Sequence, residues 1–330
     1  MQPSLLHVTP SGWCGLAFAL FMLIFLPMLA GSYWLSVITS AACFTMAAAG
    51  AGFMYSRLGM VSLTQVGLMG IGGWVTLRLS YAYDLPFEIN LLIAGLVTMI
   101  FGFILALPAL RMRGIYLALV TLMAAGGLQF IFATLKFPNG GGGFLGVKIG
   151  SYDAFNGPML AQSHEAYFRY VVIWVLLGYL LIVAHLRLAP GRAWAMIRRS
   201  EAAAMAVGVN VTLYKTWAFG IAGLLAGVAG GLLAGSLGLL ESGTFGAPES
   251  IMIFALSVVG GARLWLGPVV AAFLYRVMPG ILSSFGLDTN LAYVIFGAGL
   301  LHALITAPNG IAGQIFEATG ALGRKLGLAK

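Results

Sequence analysis

The chain has 330 residues, 61% hydrophobic and only 8% charged, with a mean hydropathy of +0.99; soluble domains carry about 25% charged residues, so a water-soluble fold is excluded. The net charge of +8 comes from 17 basic against 9 acidic residues, but the basic residues sit at the ends of apolar runs and form no dense cluster with interleaved aromatics, which argues against nucleic acid. Residues 1–330 therefore read as a single integral membrane domain, an all-α polytopic transmembrane bundle, because lipid cannot satisfy an open backbone and the segments lack the alternation of barrel strands.

A helix needs about 20 apolar residues to cross the hydrocarbon, and segments of that order recur along the chain. The first, 13–30, has no basic n-region and no small-x-small cleavage site after it, so a retained span is expected rather than a signal peptide. Spans at 33–55, 58–77, 89–110 and 114–135 follow. Cys14 and Cys43 lie in apolar runs far from any CxxC spacing, which points to buried thiols rather than to zinc or a disulfide. Thr64, Gln65 and Gln129 are polar residues inside spans and are the candidates for lining a substrate path. Arg78 is a cation that the topology does not explain. Residues 136–166 are predicted to be an external loop: Pro138-Asn139-Gly140 open it with turn signals, and Val147, Ile149, Tyr152 and Phe155 are available to cover the bundle or to meet a partner. Gly141, Gly143 and Gly146 satisfy a lone G-x-G-x-x-G, but no strand precedes them, so no dinucleotide site is expected.

Span 167–188 carries His185 near its end and leads into the one strongly charged stretch, 189–215. After the breaker Pro190-Gly191, residues 192–207 are expected to form one amphipathic helix, with Arg192, Arg198, Arg199 and Glu201 among small apolar residues, ended by Gly208 and Asn210. A helix of this kind outside the bilayer lies either on lipid headgroups or on a partner protein, and the residues leave both open. Span 216–240 repeats glycine every fourth position at Gly223, Gly227, Gly231 and Gly235, a flat face suited to tight helix packing or to movement against a partner helix. Segments 250–262 and 265–275 are short and Gly/Pro-interrupted; they make either two passes or a re-entrant pair turning between Gly260 and Pro268. Broken helices at membrane depth are tolerated only where protein or a watery cavity covers them, so this region is a candidate for the translocation path. The last span, 291–306, has His302 near its end. Both histidines are expected to be interfacial or hydrogen-bonded rather than ligands.

Lys and Arg collect on the cytoplasmic side of membrane proteins. Arg57, Arg111, Arg113, Arg187, Arg192, Arg198, Arg199, Lys215, Arg324, Lys325 and Lys330 share one side if the N-terminus is cytoplasmic, with about 8–10 membrane segments. The loop 189–215 and the tail 307–330 are then cytoplasmic, and Asp84, Glu88, Asp153, Glu165, Glu241 and Glu249 fall mostly outside. No buried Asp/Glu/His chain suggests a proton relay, which argues against a pump or carrier working alone. A phosphate-binding loop needs Gly-Lys-Ser/Thr, and no lysine follows a glycine here. No ATP, other cofactor or metal is expected on this chain.

Five segments recur in an order that resembles the LivM-type permease subunits of branched-chain amino-acid ABC importers, in the LivHM family. They are Ser62-Leu63-Thr64-Gln65 leading to Gly70-Ile71-Gly72-Gly73-Trp74; Leu110-Arg111-Met112-Arg113-Gly114-Ile115-Tyr116; Gly191-Arg192-Ala193-Trp194 followed by Arg198 and Glu201-Ala202-Ala203-Ala204-Met205; Gly260-Gly261 to Trp265-Leu266-Gly267-Pro268; and Ala307-Pro308-Asn309-Gly310-Ile311. The resemblance implies a non-enzymatic permease of the bacterial inner membrane that forms half of a pathway for branched-chain or other hydrophobic amino acids. Besides membrane lipid, its implied partners are a second, LivH-like permease, two cytoplasmic ATP-binding subunits that carry the ATP, and a periplasmic substrate-binding protein. It places Arg192, Arg198, Arg199, Glu201, Ala202, Gly208 and Asn210 in an EAA-like coupling loop, whose short helix is expected to dock in a groove of the ATP-binding subunit.

Two departures bear on cargo. The family commonly has Thr-Gly-Gly-x-x-Gly-Leu outside, where this chain has Asn139-Gly140-Gly141-Gly142-Gly143-Phe144-Leu145-Gly146; and after Ser62-Leu63 it favours Gly or Ser and a small residue, where this chain has Thr64-Gln65-Val66. Urea or short amides are the alternative cargo within the family. From other classes, a stand-alone secondary transporter would need a charged intramembrane site, and a membrane enzyme or scaffold would need a reactive cluster or a soluble module.

Overall fold

The structure, a computed structural model, describes residues 10–83, 85–112, 114–134, 158–159, 161–238, 240–286 and 310–325, with positions 294, 297, 298 and 301. Most of the last predicted span, 291–306, and most of the predicted external loop, 136–166, lie outside the described residues. Among the described residues the secondary structure is helical throughout. Six helices are long and apolar enough to cross a membrane: Ser32–Leu58, Phe87–Pro108, Ile115–Thr134, His164–Arg187, Val211–Leu237 and Leu266–Ser284. The protein is an all-α, multi-pass membrane bundle.

The apolar run expected at 13–30 is two pieces, α1 (Pro10–Ile24) and α2 (Leu26–Leu29), parted at Phe25 by Pro27, which brings no N–H to the ladder. Met22, Leu23 and Leu26 pack on Leu35 of the next helix and on Phe168 and Val172 of the helix His164–Arg187. Helix α3 (Ser32–Leu58) is buried along most of its length and stops at Gly59, whose φ of 71° is a left-handed cap that favours glycine. A helix beginning at residue 58 was expected here; instead the chain runs without helix through 60–64 and α4 (Gln65–Tyr83) starts only at Gln65. Helices α5 (Phe87–Ala109), α6 (Ile115–Thr134) and α7 (His164–Arg187) follow.

The centre of the bundle is α10 (Val211–Leu237), which starts five residues before the expected 216 because Asn210 caps it. Its small residues let backbones touch on two sides. A Cβ on Gly230 would stand 1.8 Å from Met69 O of α4, and one on Gly223 would stand 2.5 Å from Thr98 O of α5. Gly227 meets Thr98, Gly231 lies between Leu91 of α5 and Thr76 of α4, and Gly235 meets Tyr167 of α7 and Phe87 of α5. Thus the predicted four-residue glycine repeat lies chiefly along α5, while Gly230 serves α4.

After a short 3-10 turn at Ser242–Phe245, α11 (Ala247–Gly261) and α12 (Leu266–Ala272) form a tight hairpin, with a Cβ on Gly260 only 2.3 Å from Gly267 O. The second leg was expected to end at 275. It continues through a π-helical turn, Phe273–Val277, into α13 (Met278–Ser284), so Leu266–Ser284 is a long apolar helix and α11 a short one. Helix α14 (Gly310–Lys325) packs at the hairpin turn, where Phe316 meets Trp265 at 6.1 Å between ring centroids.

Candidate functional site

The charged loop is two short helices pinned at each junction. Helix α8 (Ala189–Arg199) follows α7 after one extended residue, Leu188, and takes Pro190 in its first turn, where a missing N–H is harmless. Gly191 passes so close to α7 that a Cβ would lie 2.1 Å from Leu186 O. The inner face of α8 is Ala193, Trp194 and Ile197, all buried. Trp194 Nε1 donates to Tyr214 O at 2.9 Å, and its ring centroid lies 5.7 Å from that of Phe53. His185 stacks on Trp194 and holds Leu181 O at 2.8 Å, so this histidine packs rather than ligates.

The single helix expected over 192–207 is interrupted at Ser200. Its backbone is extended, and its Oγ accepts from Ala203 N at 3.3 Å, capping α9 (Glu201–Ala206). Helix α9 ends in a Schellman arrangement: Gly208, at φ 83°, donates to Met205 O, and Val209 N donates to Ala204 O, each at 3.0 Å. Asn210 Oδ1 then accepts from Leu213 N at 3.0 Å.

Two charged contacts join this pair to the bundle. Arg198 Nη1 donates to Tyr55 O at 2.6 Å and also to Ser56 O, carbonyls of the last α3 turn, the first of which also accepts from the cap Gly59 N at 3.0 Å. Lys215 Nζ donates to Glu201 Oε1 at 2.7 Å, with side-chain exposures of 6% and 24%. Of the predicted coupling residues, Arg198, Glu201, Gly208 and Asn210 hold the pair in shape. Arg192, Arg199 and Ala202 face outward, beside exposed Ala203, Met205, Ala206 and Val207. Arg57 stands within electrostatic reach of Arg198 and Arg263, so this end of the bundle is basic. Glu88, Glu165, Glu241 and Glu249 belong to helix starts and turns at the opposite, acidic end.

Inside the bundle, the non-helical segment 60–64 turns back from Gly59. A Cβ on Gly50 would lie 3.4 Å from both Gln65 Oε1 and Ala222 O, so α4 begins about 16 Å along α10 at 1.5 Å per residue. Irregular backbone at that depth needs local partners. Leu63 N donates to Thr121 Oγ1 at 3.0 Å, and Ser62 Oγ lies 3.1 Å from Thr64 Oγ1. Thr64 and Gln65 are fully buried, and Gln65 Oε1 has no hydrogen-bond partner among the described residues. Gln129 is not part of this group: its Oε1 accepts from Ala247 N at 3.4 Å and braces the start of α11.

Sequence reasoning missed Arg276. With the second hairpin leg ending at 275, Arg276 fell just outside a span; the π turn extends the helix and places it within one. Its Nε donates to Ser40 Oγ at 3.0 Å, and it lies over the Phe44 ring at 4.7 Å. The signal available in the sequence was an arginine in an apolar run reaching Pro279-Gly280 and beyond.

A helical bundle with a chain break at depth between two of its helices, a hairpin at its side and a pinned amphipathic pair at its basic end defines the class of a multi-pass membrane protein. More particularly, residues 33–304 match the family described as branched-chain amino acid transport system / permease component, and the chain belongs to it. It is 28% identical over 273 residues to the high-affinity branched-chain amino acid transport system permease protein LivM of Salmonella typhimurium, and 27% identical over 273 residues to that of Escherichia coli. Each match covers 77% of this chain and 64% of the relative, so the chain spans a little under two thirds of those relatives' length. No solved structure gives a significant match.

Proposed function

We propose that this chain is the transmembrane permease subunit of an ATP-binding-cassette importer for branched-chain or other hydrophobic amino acids, forming half of the pathway in a bacterial inner membrane. The observation that carries this reading is the α8–α9 pair, one face locked to the bundle and the other bare, small and apolar between Arg192 and Arg199. The bias of basic residues assigns that end to the cytoplasm, with 189–215 as the coupling loop, 307–330 as a cytoplasmic tail and 136–166 as an external loop. A separate ATP-binding subunit covers the bare face and carries the ATP. A second, LivH-like permease completes the pore, a second ATP-binding subunit serves it, and a periplasmic binding protein delivers cargo at the acidic end.

A push on α8–α9 has two exits. Arg198 passes it to the end of α3, next to Gly59 and the segment 60–64; the Glu201–Lys215 pair passes it to the base of α10. The names of the two LivM relatives support a branched-chain amino acid as cargo. The test is uptake of L-leucine by vesicles holding the assembled complex. Uptake is expected to require ATP and the binding protein and to survive collapse of ion gradients. Uptake without ATP that follows the gradient would make the chain a secondary transporter, and uptake of urea in place of L-leucine would move its cargo to urea or short amides.

A further inference from the structure

The acidic-end half of the bundle holds a cation, Arg276, that the coupling pair does not touch and whose donors the packing engages only in part. Arg276 lies about 15 Å along the helix Leu266–Ser284 at 1.5 Å per residue, within the π turn Phe273–Val277. Such turns recur at functional sites, because the extra residue takes a side chain out of the regular register. A guanidinium inside a span is costly and faces a partner, a cavity or a pathway. Among the described residues its hydrogen bond is Nε to Ser40 Oγ, and its flat face rests on Phe44 and, at 5.7 Å, on Tyr275. A guanidinium has five donors in a fork that fits a carboxylate, so most of that fork remains open.

Helix α11 brings a carboxylate to the same level. Ser257 Oγ of α11 lies 3.5 Å from Ala48 O of α3, and the two helices run the same way. Counting back equally along both places Glu249 level with Ser40, the residue that holds Arg276. Glu249 is half-buried and feels the charge of Arg276, yet it forms no direct ion pair among the described residues. Ser250 sits two turns before Ser257, on the stripe of α11 that faces α3. It is 1% exposed, and its Oγ has no hydrogen-bond partner among the described residues. Opposite charges that are near but unjoined, with an unused buried hydroxyl beside them, form an incomplete constellation. A lone anion would meet Glu249, a lone cation would meet Arg276, and a neutral amide would satisfy neither. A ligand carrying both charges on one carbon satisfies both.

We propose that Arg276, Glu249 and Ser250 form a docking point for an α-amino-acid zwitterion in the acidic-end half of the pathway, with the carboxylate on the Arg276 fork, the ammonium on Glu249 and a further hydrogen bond from Ser250. This rests on the reading of the chain as an amino-acid permease.

The test is binding of three probes to the assembled transporter in nanodiscs without its binding protein: L-leucine, L-leucinamide, which lacks the carboxylate, and 4-methylpentanoate, which lacks the ammonium. The wild type is expected to prefer L-leucine to either analogue by at least about tenfold, the worth of one charge-assisted hydrogen bond. Arg276→Gln should erase the preference over L-leucinamide and keep that over 4-methylpentanoate; Glu249→Gln should do the converse. Equal weakening toward all three probes in both variants, or unchanged preferences, would overturn the site. Uptake of L-leucine by the full transporter, measured in parallel, separates the two readings. Uptake by the wild type with unchanged preferences in both variants removes the docking point alone, whereas no ATP-dependent amino-acid uptake removes the permease assignment as well.

Discussion

Helix α10 and the helix Leu266–Ser284 cross the same bundle with similarly apolar residues, yet 89% of the first helix's apolar window is buried and only 28% of the second's. The difference lies in what each presents to its neighbours. The glycines of α10 admit two backbones at once, α4 against Gly230 and α5 against Gly223 and Gly227, so nothing there can shift without a clash. Leu266–Ser284 carries Pro268, Pro279 and a π turn, and its last segment, α13, buries no residue. The bundle thus has a jammed spine and a loosely covered flank. If the chain moves as the proposed importer requires, the spine is built to move as a unit and the flank to adjust locally.

The largest expected effect comes from breaking the spine. Gly230→Val puts a branched Cβ where Met69 O stands 1.8 Å away, and overpacking of this kind costs about 3 kcal/mol. Little folded protein is expected, read as thermal melting of the purified chain in detergent. Gly127→Ala, on the exposed side of α6 where a Cβ meets nothing within 4 Å, should melt like the wild type or slightly higher, since alanine is the better helix former by about 1 kcal/mol. Equal melting of Gly230→Val and Gly127→Ala would remove the contrast.

Next in size is the pin at the base of α10. Lys215→Met removes the cation from the Glu201 ion pair, for an expected loss of about 2 kcal/mol, below the range for a fully buried pair because Glu201 keeps some exposure. Adding Glu201→Gln should restore most of that stability, and uptake should stay low in both. A double mutant no more stable than Lys215→Met would show that the ion pair does not tie α9 to the spine.

A smaller stability change should follow from straightening the flank. Deleting Leu274 removes the extra residue and converts the π turn to α-helix, which re-aims the side chains within the turn while the helix beyond it keeps its face. Because α13 buries no residue, melting should shift by no more than about 1 kcal/mol. Arg276 nevertheless loses Ser40, so uptake is expected to fall steeply. Wild-type uptake in the deletion would mean that the π turn serves packing alone.

Spine and flank were not equally legible in the sequence. A glycine every fourth residue is a direct record of close packing, and the charge of 189–215 is conspicuous in so apolar a chain, so both could be read without coordinates. Three features could not. The segment 60–64 is as apolar as a helix, and its departure is enforced by Gly59 and by Thr121, a residue far along the chain. The break at Ser200 depends on one hydroxyl choosing to cap rather than to continue. The π turn adds a single residue to a helix and leaves hydrophobic periodicity almost unchanged. Thr64 and Gln65 were found by polarity and lie together; Gln129 passed the same filter but serves the start of α11.

The smallest effect on folding is expected at the outer face of α9. Val207 is 65% exposed and Met205 57%, and neither side chain supports the caps, which use Ser200 Oγ and the backbone of Gly208 and Val209. Val207→Asp should therefore leave melting within about 0.5 kcal/mol, as surface substitutions usually do. If α9 docks in an apolar groove of an ATP-binding subunit, however, the new carboxylate must be desolvated there without a partner, which costs several kcal/mol. Co-purification of the ATP-binding subunit should drop by about a hundredfold or more, while the chain still inserts and melts normally. Arg198→Ala should act differently: it takes the guanidinium donor from the last α3 carbonyls, lowers melting by about 1 kcal/mol and slows uptake with the ATP-binding subunit still attached. Docking and transmission would then be separable on one pair of helices, the first on its bare face and the second on the face that grips the bundle. Full association of Val207→Asp would place the contact elsewhere on the basic end and leave α8–α9 as a brace between α3 and α10.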